Sequence, residues 1–340
     1  MIRHVGSVSA RAATGTVGTV YAEVRREFGA LVEPFTLHSS VPVLLAGAWR
    51  ACRATLVTGA ASRAVKEAVA AAVSRANRCP YCVDAHTVML DGAAAHDVAA
   101  ALAIGHDEAI RDPAMRAVVA WAAASRRPGS PHLATSPFAS RDAPEILGTA
   151  LLFHYINRPV TVLLGESPLP AAPARWKGGL RRVAGWWFAR AMARAKSSDP
   201  APLLPAAELP DDLAWAAASP PVADALARFA AAVEIEGGRV LSSATRRAVT
   251  ARIEEWRGED AGLGRQWLTP VLVTLAETDR PAARLALLTA LAPHQVDDGV
   301  IADFRARAPA DAALVAVLAW ASLTAARRLM RWVAWPAASA

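Results

Sequence analysis

Cysteine is scarce in this chain: three in 340 residues. That excludes a disulfide framework, which needs a dense set of thiols in a small secreted domain. Strand signals are missing too. β-Branched clusters such as Val41-Pro42-Val43 occur, but no series of alternating runs and turns follows them. No long apolar run is present either. The longest uncharged apolar stretch, 312–326, has about 15 residues, and a membrane span needs roughly 20. The N-terminus, MIRHVGSVSARAATG, lacks the apolar core of an export signal. The expectation is a cytoplasmic protein whose thiols stay reduced. No recognised nucleic-acid-binding motif is found, so no nucleic-acid partner is expected.

What is present favours helix. Hydrophobic residues make up 54% of the chain and charged residues 20%. Much of the apolar fraction is alanine, the strongest helix former. The length allows two ordinary domains and a sizeable core. The expected fold class is therefore all-α. Residues 1–30 read as a leader and first helix. Helices follow at 41–58 and 61–76, the second with apolar Val65, Val69 and Val73. Asn77 is a helix stop. Pro80 suits the first turn of the next helix, with Cys79 at its cap and Gly92 at its end. Further helices are expected at 94–104, 113–125 and 145–158, with a loop over 128–143.

The formal net charge of +7 is unevenly spread. Between Pro-rich linkers at 164–174 and 197–210 lie Arg175, Lys177, Arg181, Arg182, Arg190, Arg194 and Lys196, with no acid among them. Trp176, Trp186, Trp187 and Phe188 share that stretch. Three readings of 175–196 stand side by side. It is a linker helix packing its Trp face on the domains, a peripheral contact with an anionic membrane, or a nucleic-acid arm.

The second half echoes the first. SRAVKEAV (62–69) is similar to TRRAVTAR (245–252), and YINRPV (155–160) to TAARRLM (324–330). A different register pairs AVVAWA (117–122) with AVLAWA (316–321). The first register sets Ala251, Leu263 and Gln266 where Glu67, Cys79 and Cys82 stand. The expected organisation is a catalytic domain over 1–165, linkers and the basic segment over 166–209, and a degenerate helical repeat over 210–335.

The chemistry concentrates in NRCPYCVDAH, residues 77–86. Cys79, Cys82 and His86 are spaced i, i+3, i+7 and share one helix face. A helix start favours a thiolate at Cys79 through free N–H groups and the dipole. His86 can take a thiol proton and release it near neutral pH. A carboxylate behind the ring would orient it, and Glu67 on the preceding helix is the candidate. Glu67 also reads as one more residue of a solvated face beside Lys66. The cysteines themselves admit three readings: buried hydrophobes, part of a zinc site, or a thiol redox pair. Zinc needs a fourth ligand, and His96 is the nearest spare histidine. Cys52 reads as a core thiol. His154 and Asn157, three apart on the 145–158 helix, are candidate pocket residues, with a hydrogen-bonding role at the helix end as the alternative; Tyr81 is a further pocket candidate. His38, His106, His132 and His294 have no ligand-like companions.

Cys-Pro-Tyr-Cys alone also resembles the glutaredoxin motif, but there a strand precedes it and here an Ala-rich helix does. The whole run Glu67–x11–Cys79-Pro-Tyr-Cys82–x3–His86, on helices, resembles the alkylhydroperoxidase D and carboxymuconolactone decarboxylase superfamily. It is most similar to the alkylhydroperoxidase-like, peroxidase-related branch, over roughly residues 40–165. Tyr81 stands where alkylhydroperoxidase D carries a histidine. The resemblance implies an all-helical, homo-oligomeric, thiol-dependent peroxidase or disulfide oxidoreductase that reduces (alkyl) hydroperoxides. It implies that Cys82 is the thiol activated by a Glu67–His86 relay and that Cys79 resolves it. It further implies a redox-active Cys79–Cys82 disulfide, no bound cofactor or metal, and an external dithiol as reductant. The rival reading from another class is a non-catalytic helical scaffold with a vestigial redox site.

Overall fold

The computed structural model describes residues 2–165, 167–168, 174–194 and 203–335. Within α9 below, the side chains of 174–177, 180 and 191–194 are outside that set. Parts of both Pro-rich linkers (166, 169–173 and 197–202), Lys196 and the tail after Trp335 therefore lie outside the described residues. The described elements are all helical. The first half runs α1 (Gly15–Phe28), α2 (Glu33–Thr36), α3 (Pro42–Cys52), α4 (Arg63–Ala76), α5 (Pro80–Gly92), α6 (His96–Ile104), α7 (Pro113–Ala124) and α8 (Ala143–Leu163). Helix α9 (Ala174–Arg194) bridges to the second half. That half runs α10 (Pro220–Val240), α11 (Ser243–Glu255), α12 (Thr269–Leu272), α13 (Arg280–Leu291), α14 (Asp298–Arg305) and α15 (Asp311–Met330).

Two boundaries differ from expectation. The helix expected over 41–58 changes to a π-helical turn at Arg53–Val57. Thr55 explains part of this: its hydroxyl bonds back to Ala51 O at 2.8 Å, and its own carbonyl accepts from Thr149 Oγ1 at 3.1 Å. The closing helix does not stop before Pro159 but continues to Leu163. Proline removes one ladder hydrogen bond, yet Val160, Val162 and Leu163 are buried in the core. Their burial outweighs that loss.

The halves join through helix pairs: α3 packs on α10 and α8 on α15. Close approach requires glycine where α3 crosses α10: a Cβ on Gly47 would sit 2.6 Å from the Phe229 ring. Within the first half, a Cβ on Gly148 of α8 would sit 2.4 Å from Thr55 Cγ2 of the π turn. Arg158 Nε also donates to Ala290 O across the junction at 2.8 Å. The buried apolar residues of both halves form one continuous core. Helix α15 alone among the described helices is long and apolar enough to cross a membrane, but 78% of its most apolar window is buried inside the molecule. Leu263 and Gln266, paired with Cys79 and Cys82 by the first repeat register, lie in irregular chain and at the start of a 3-10 turn.

The basic segment packs the opposite way from the linker-helix reading. Trp186 and Trp187 face solvent, while Gly185 is buried against α5. A Cβ on Gly185 would lie 2.9 Å from both Asp91 Cβ and Gly92 N. Arg181 points inward and pairs with buried Asp91.

Candidate active site

The turn between α4 and α5 sets the two cysteines. Arg78 takes a left-handed conformation, φ 56°, which reverses the chain after Asn77. The Cys79 N–H then bonds back to Ser74 O at 2.9 Å. Cys79 is the N-cap of α5, Pro80 follows in the first turn, and Cys82 sits one turn in. Both thiols are free and buried.

Burial pushes both thiols up in pKa, but their surroundings separate them. Polar groups surround Cys79: the Cys82 thiol and main-chain N–H, then the Thr161 and Asn157 side chains, each of which favours its thiolate. These outweigh burial and hold it below the ordinary thiol value. Cys82 is pushed well up, first by burial and then by its contact with Cys79. The first negative charge on the pair therefore rests on Cys79.

Glu67 is fully buried, so the solvated-face reading does not hold. Its Oε2 lies 2.5 Å from His86 Nδ1, and its Oε1 accepts from Arg63 Nε at 2.7 Å. Burial alone would push the Glu67 carboxyl up; the charges of Arg63 and His86 outweigh it and hold the group below the usual value. An ionised carboxylate only accepts hydrogen bonds, so Nδ1 of His86 carries the proton and Nε2 is left as the basic nitrogen. The ring meets Phe153 edge-on, centroids 4.4 Å apart. Neighbouring Lys66 is buried too, 2.7 Å from Glu145 Oε2.

His86 and Cys82 line the same cavity of about 200 Å³. The described hydrogen bonds include none between the His86 ring and either sulfur. Cys79 lies outside the cavity lining, on the Asn157 and Thr161 side of Cys82. The walls are mostly apolar, with Phe153, Ile156 and Leu56 among them. Tyr81 lines the cavity, and its hydroxyl donates to Glu33 Oε2 at 2.8 Å. Cys52 reaches the same cavity, but burial pushes its thiol up to about 12, which keeps it protonated.

The other pocket candidates fall elsewhere. Asn157 does not line this cavity; it supports the thiols from behind. Its Oδ1 accepts from Asn77 Nδ2 at 2.9 Å and its Nδ2 donates to Ser74 Oγ at 3.0 Å. His154 does not line the cavity and takes the hydrogen-bonding alternative. It is buried in that same polar network, 3.1 Å from Asn77 Nδ2 and 2.8 Å from Ser125 Oγ. Burial, then the charges of Arg158 and Arg126, push its pKa well below the ordinary value, so it stays neutral. His96 pairs with Asp91 at 2.8 Å rather than with the sulfurs. Among the described residues no three His, Cys, Asp or Glu side chains are grouped to hold a metal ion.

Two contributions escape the sequence reading. Arg63 is visible only as a residue four before Glu67 on a helix, a spacing that allows an ion pair. Ala184 and Phe188 of α9 close one side of the cavity. No local pattern announces that contact, because it joins α9 to α5 across about 100 residues of chain.

Comparison with known proteins points the same way. The family model described as carboxymuconolactone decarboxylase matches residues 44–124. Over 333 residues the chain is 43% identical to alkyl hydroperoxide reductase Rv2159c of Mycobacterium tuberculosis, spanning 98% of this chain and 95% of that protein. A crystal structure of an alkylhydroperoxidase AhpD core, an uncharacterized peroxidase-related protein from Ralstonia eutropha JMP134, shares 20% identity. It covers 53% of this chain and 96% of that one, with a TM-score of 0.43.

Proposed function

This chain belongs to the alkylhydroperoxidase D and carboxymuconolactone decarboxylase superfamily and is a peroxidase-type enzyme, and on that premise we propose that Cys79 and Cys82 are its redox centre. The carrying observation is the 2.5 Å contact between Glu67 and His86, with His86 and Cys82 on the wall of one apolar cavity. Cys82 is the nucleophile because it is the member of the pair that meets the cavity. Its thiol proton passes to His86 Nε2, and the Glu67 carboxylate stabilises the imidazolium.

The Cys82 thiolate attacks the terminal oxygen of the hydroperoxide. An S–O bond forms and the O–O bond breaks. The products are Cys82 sulfenic acid and an alkoxide, which takes the proton from His86 and leaves as the alcohol. The Cys79 thiolate then attacks the Cys82 sulfur. The S–S bond forms, the S–O bond breaks, and hydroxide leaves as water after gaining a proton. An external dithiol reduces the Cys79–Cys82 disulfide by exchange. The sum is ROOH plus a dithiol giving ROH, water and the oxidised dithiol. No bound cofactor enters this balance.

The hydrogen bonds at Cys79 suit the resolving role: a stabilised thiolate is ready as soon as Cys82 is oxidised. The test is to trap the intermediate. Cys79→Ser is treated with one equivalent of cumene hydroperoxide and a sulfenic-acid reagent, then mapped by mass spectrometry. A label on Cys82 is expected. A label on Cys79 in Cys82→Ser, with none on Cys82 in Cys79→Ser, would reverse the roles.

A further inference from the structure

We propose that the outer face of α9 docks on an anionic lipid bilayer and places the mouth of the cavity at the membrane surface. The substrate class this implies, hydroperoxides of acyl lipids, rests on the peroxidase reading; the docking does not. Helix α9 presents two faces. Ala184, Gly185 and Phe188 turn inward, onto α5 and the cavity that holds Cys82 and His86. Val183, Trp186 and Trp187 turn outward, 69%, 58% and 61% exposed. These positions are spaced i, i+3, i+4 and form one apolar strip.

Cations frame the strip. Arg182 and Arg190 are exposed on the same helix, and the Arg190 guanidinium lies 4.8 Å from the Trp186 ring centroid. Arg25 is exposed on α1, which packs against α9. No acid occurs anywhere in 175–196. Inward-facing Arg181 is spent on Asp91, so the outward charge is not neutralised from within. Tryptophan beside arginine on a helix face fits the headgroup boundary, where the rings enter the acyl edge and the cations meet anionic lipid. Because the same helix forms a wall of the cavity, a lipid tail leaving the bilayer has a short apolar path to Cys82.

The test uses the full chain and vesicles of phosphatidylglycerol with phosphatidylcholine, against phosphatidylcholine alone. Flotation should show binding to the anionic vesicles about ten-fold stronger than to the neutral ones, weakening as salt rises. The paired substitution Trp186→Ala with Trp187→Ala, and separately Arg182→Glu with Arg190→Glu, should each weaken it about ten-fold. Turnover of soluble tert-butyl hydroperoxide should survive the tryptophan pair, while turnover of phospholipid hydroperoxide in vesicles falls. No binding to anionic vesicles at low salt overturns the proposal, as does binding that neither pair alters. Binding of RNA in place of vesicles also overturns it. Vesicle binding lost in both pairs, in a protein with no peroxidase turnover, upholds the surface and sinks the peroxidase reading instead.

Discussion

At the scale of single residues the site depends on where charge rests. Glu67 holds a proton on Nδ1 of His86 and is itself held by Arg63. Glu67→Gln keeps the shape and removes the charge. An amide can present either its oxygen or its NH₂ to the ring, so the ring loses both its tautomer control and the partner of its charged form. Peroxidase kcat/KM should fall about 10²-fold, with Cys82 still reactive toward small alkylating agents at high pH; an unchanged pH–rate profile would exclude the relay. Cys79 offers a second test. A thiol whose folded value lies below its unfolded one, about 8.5, is stabilised as thiolate. That stabilisation is complete above the unfolded value and is lost as the pH falls through the folded one. Cys79 should therefore alkylate with a midpoint below the ordinary thiol value, and Cys82→Ala, which removes one donor, should move the midpoint up. A midpoint that ignores Cys82→Ala would mean that the thiol–thiol hydrogen bond does not set the charge. Cys79, Cys82 and His86 were legible together because they lie at helical spacings on α5; Glu67, on α4, was a candidate that also read as a solvated face. Asn157 was legible as a site residue, but its position was not: it stands behind the sulfurs, a matter of how α8 crosses α4. His154 kept two readings because a histidine on an apolar helix reads alike whether it faces a cavity or a buried amide.

At the scale of elements, the α4 start is tied to α8. Lys66 donates to Thr58 O and to Glu145, and Glu145 also accepts from the N–H groups of Ala60 and Ala61. Gly59, at φ 102°, allows this: a Cβ there would fall 2.2 Å from the Glu145 carboxyl. Lys66→Met would leave a buried carboxylate without its cation and should cost about 3–5 kcal/mol in urea unfolding. A cost near zero would mean water reaches Glu145. Helix starts and stops in the first half were readable because proline, asparagine and glycine mark them locally. The π turn at Arg53–Val57 was not, since Thr55 and Thr149 decide it from different helices. Nor was the seat of α9, which depends on one glycine. Gly185→Leu would force α9 off α5, because the atoms in its way are backbone and Cβ. Limited proteolysis should then cut within α9 many times faster while the remaining core stays protected. Equal protection would show that α9 is not seated by Gly185.

At the scale of the molecule, the second half covers what the first half cannot. Helix α3 packs on α10 and α8 on α15, and the buried apolar residues of both halves form one core, Leu44, Leu45, Ala48 and Leu151 among them. The face of α3 that crosses α10 carries Gly47, shaped for close contact rather than for water. In this respect 210–335 does for 1–165 what a partner subunit would do, whether or not it descends from a repeat. The contacts make a physical prediction that is independent of it. The segment 1–209 expressed alone keeps all four of Glu67, Cys79, Cys82 and His86, yet loses the cover of α3 and α8. It should self-associate or aggregate, because an exposed apolar patch of that kind seeks a substitute face. Gly47→Leu in the full chain is the milder version: its side chain would collide with the Phe229 ring and with Phe229 Cα, which cannot rotate away. Overpacking of this sort costs about 1–3 kcal/mol or more, so the midpoint of thermal unfolding should fall. If 1–209 instead stays monomeric and folded by light scattering and hydrogen exchange, the halves are independent domains. The α3–α10 and α8–α15 contacts would then be docking rather than core.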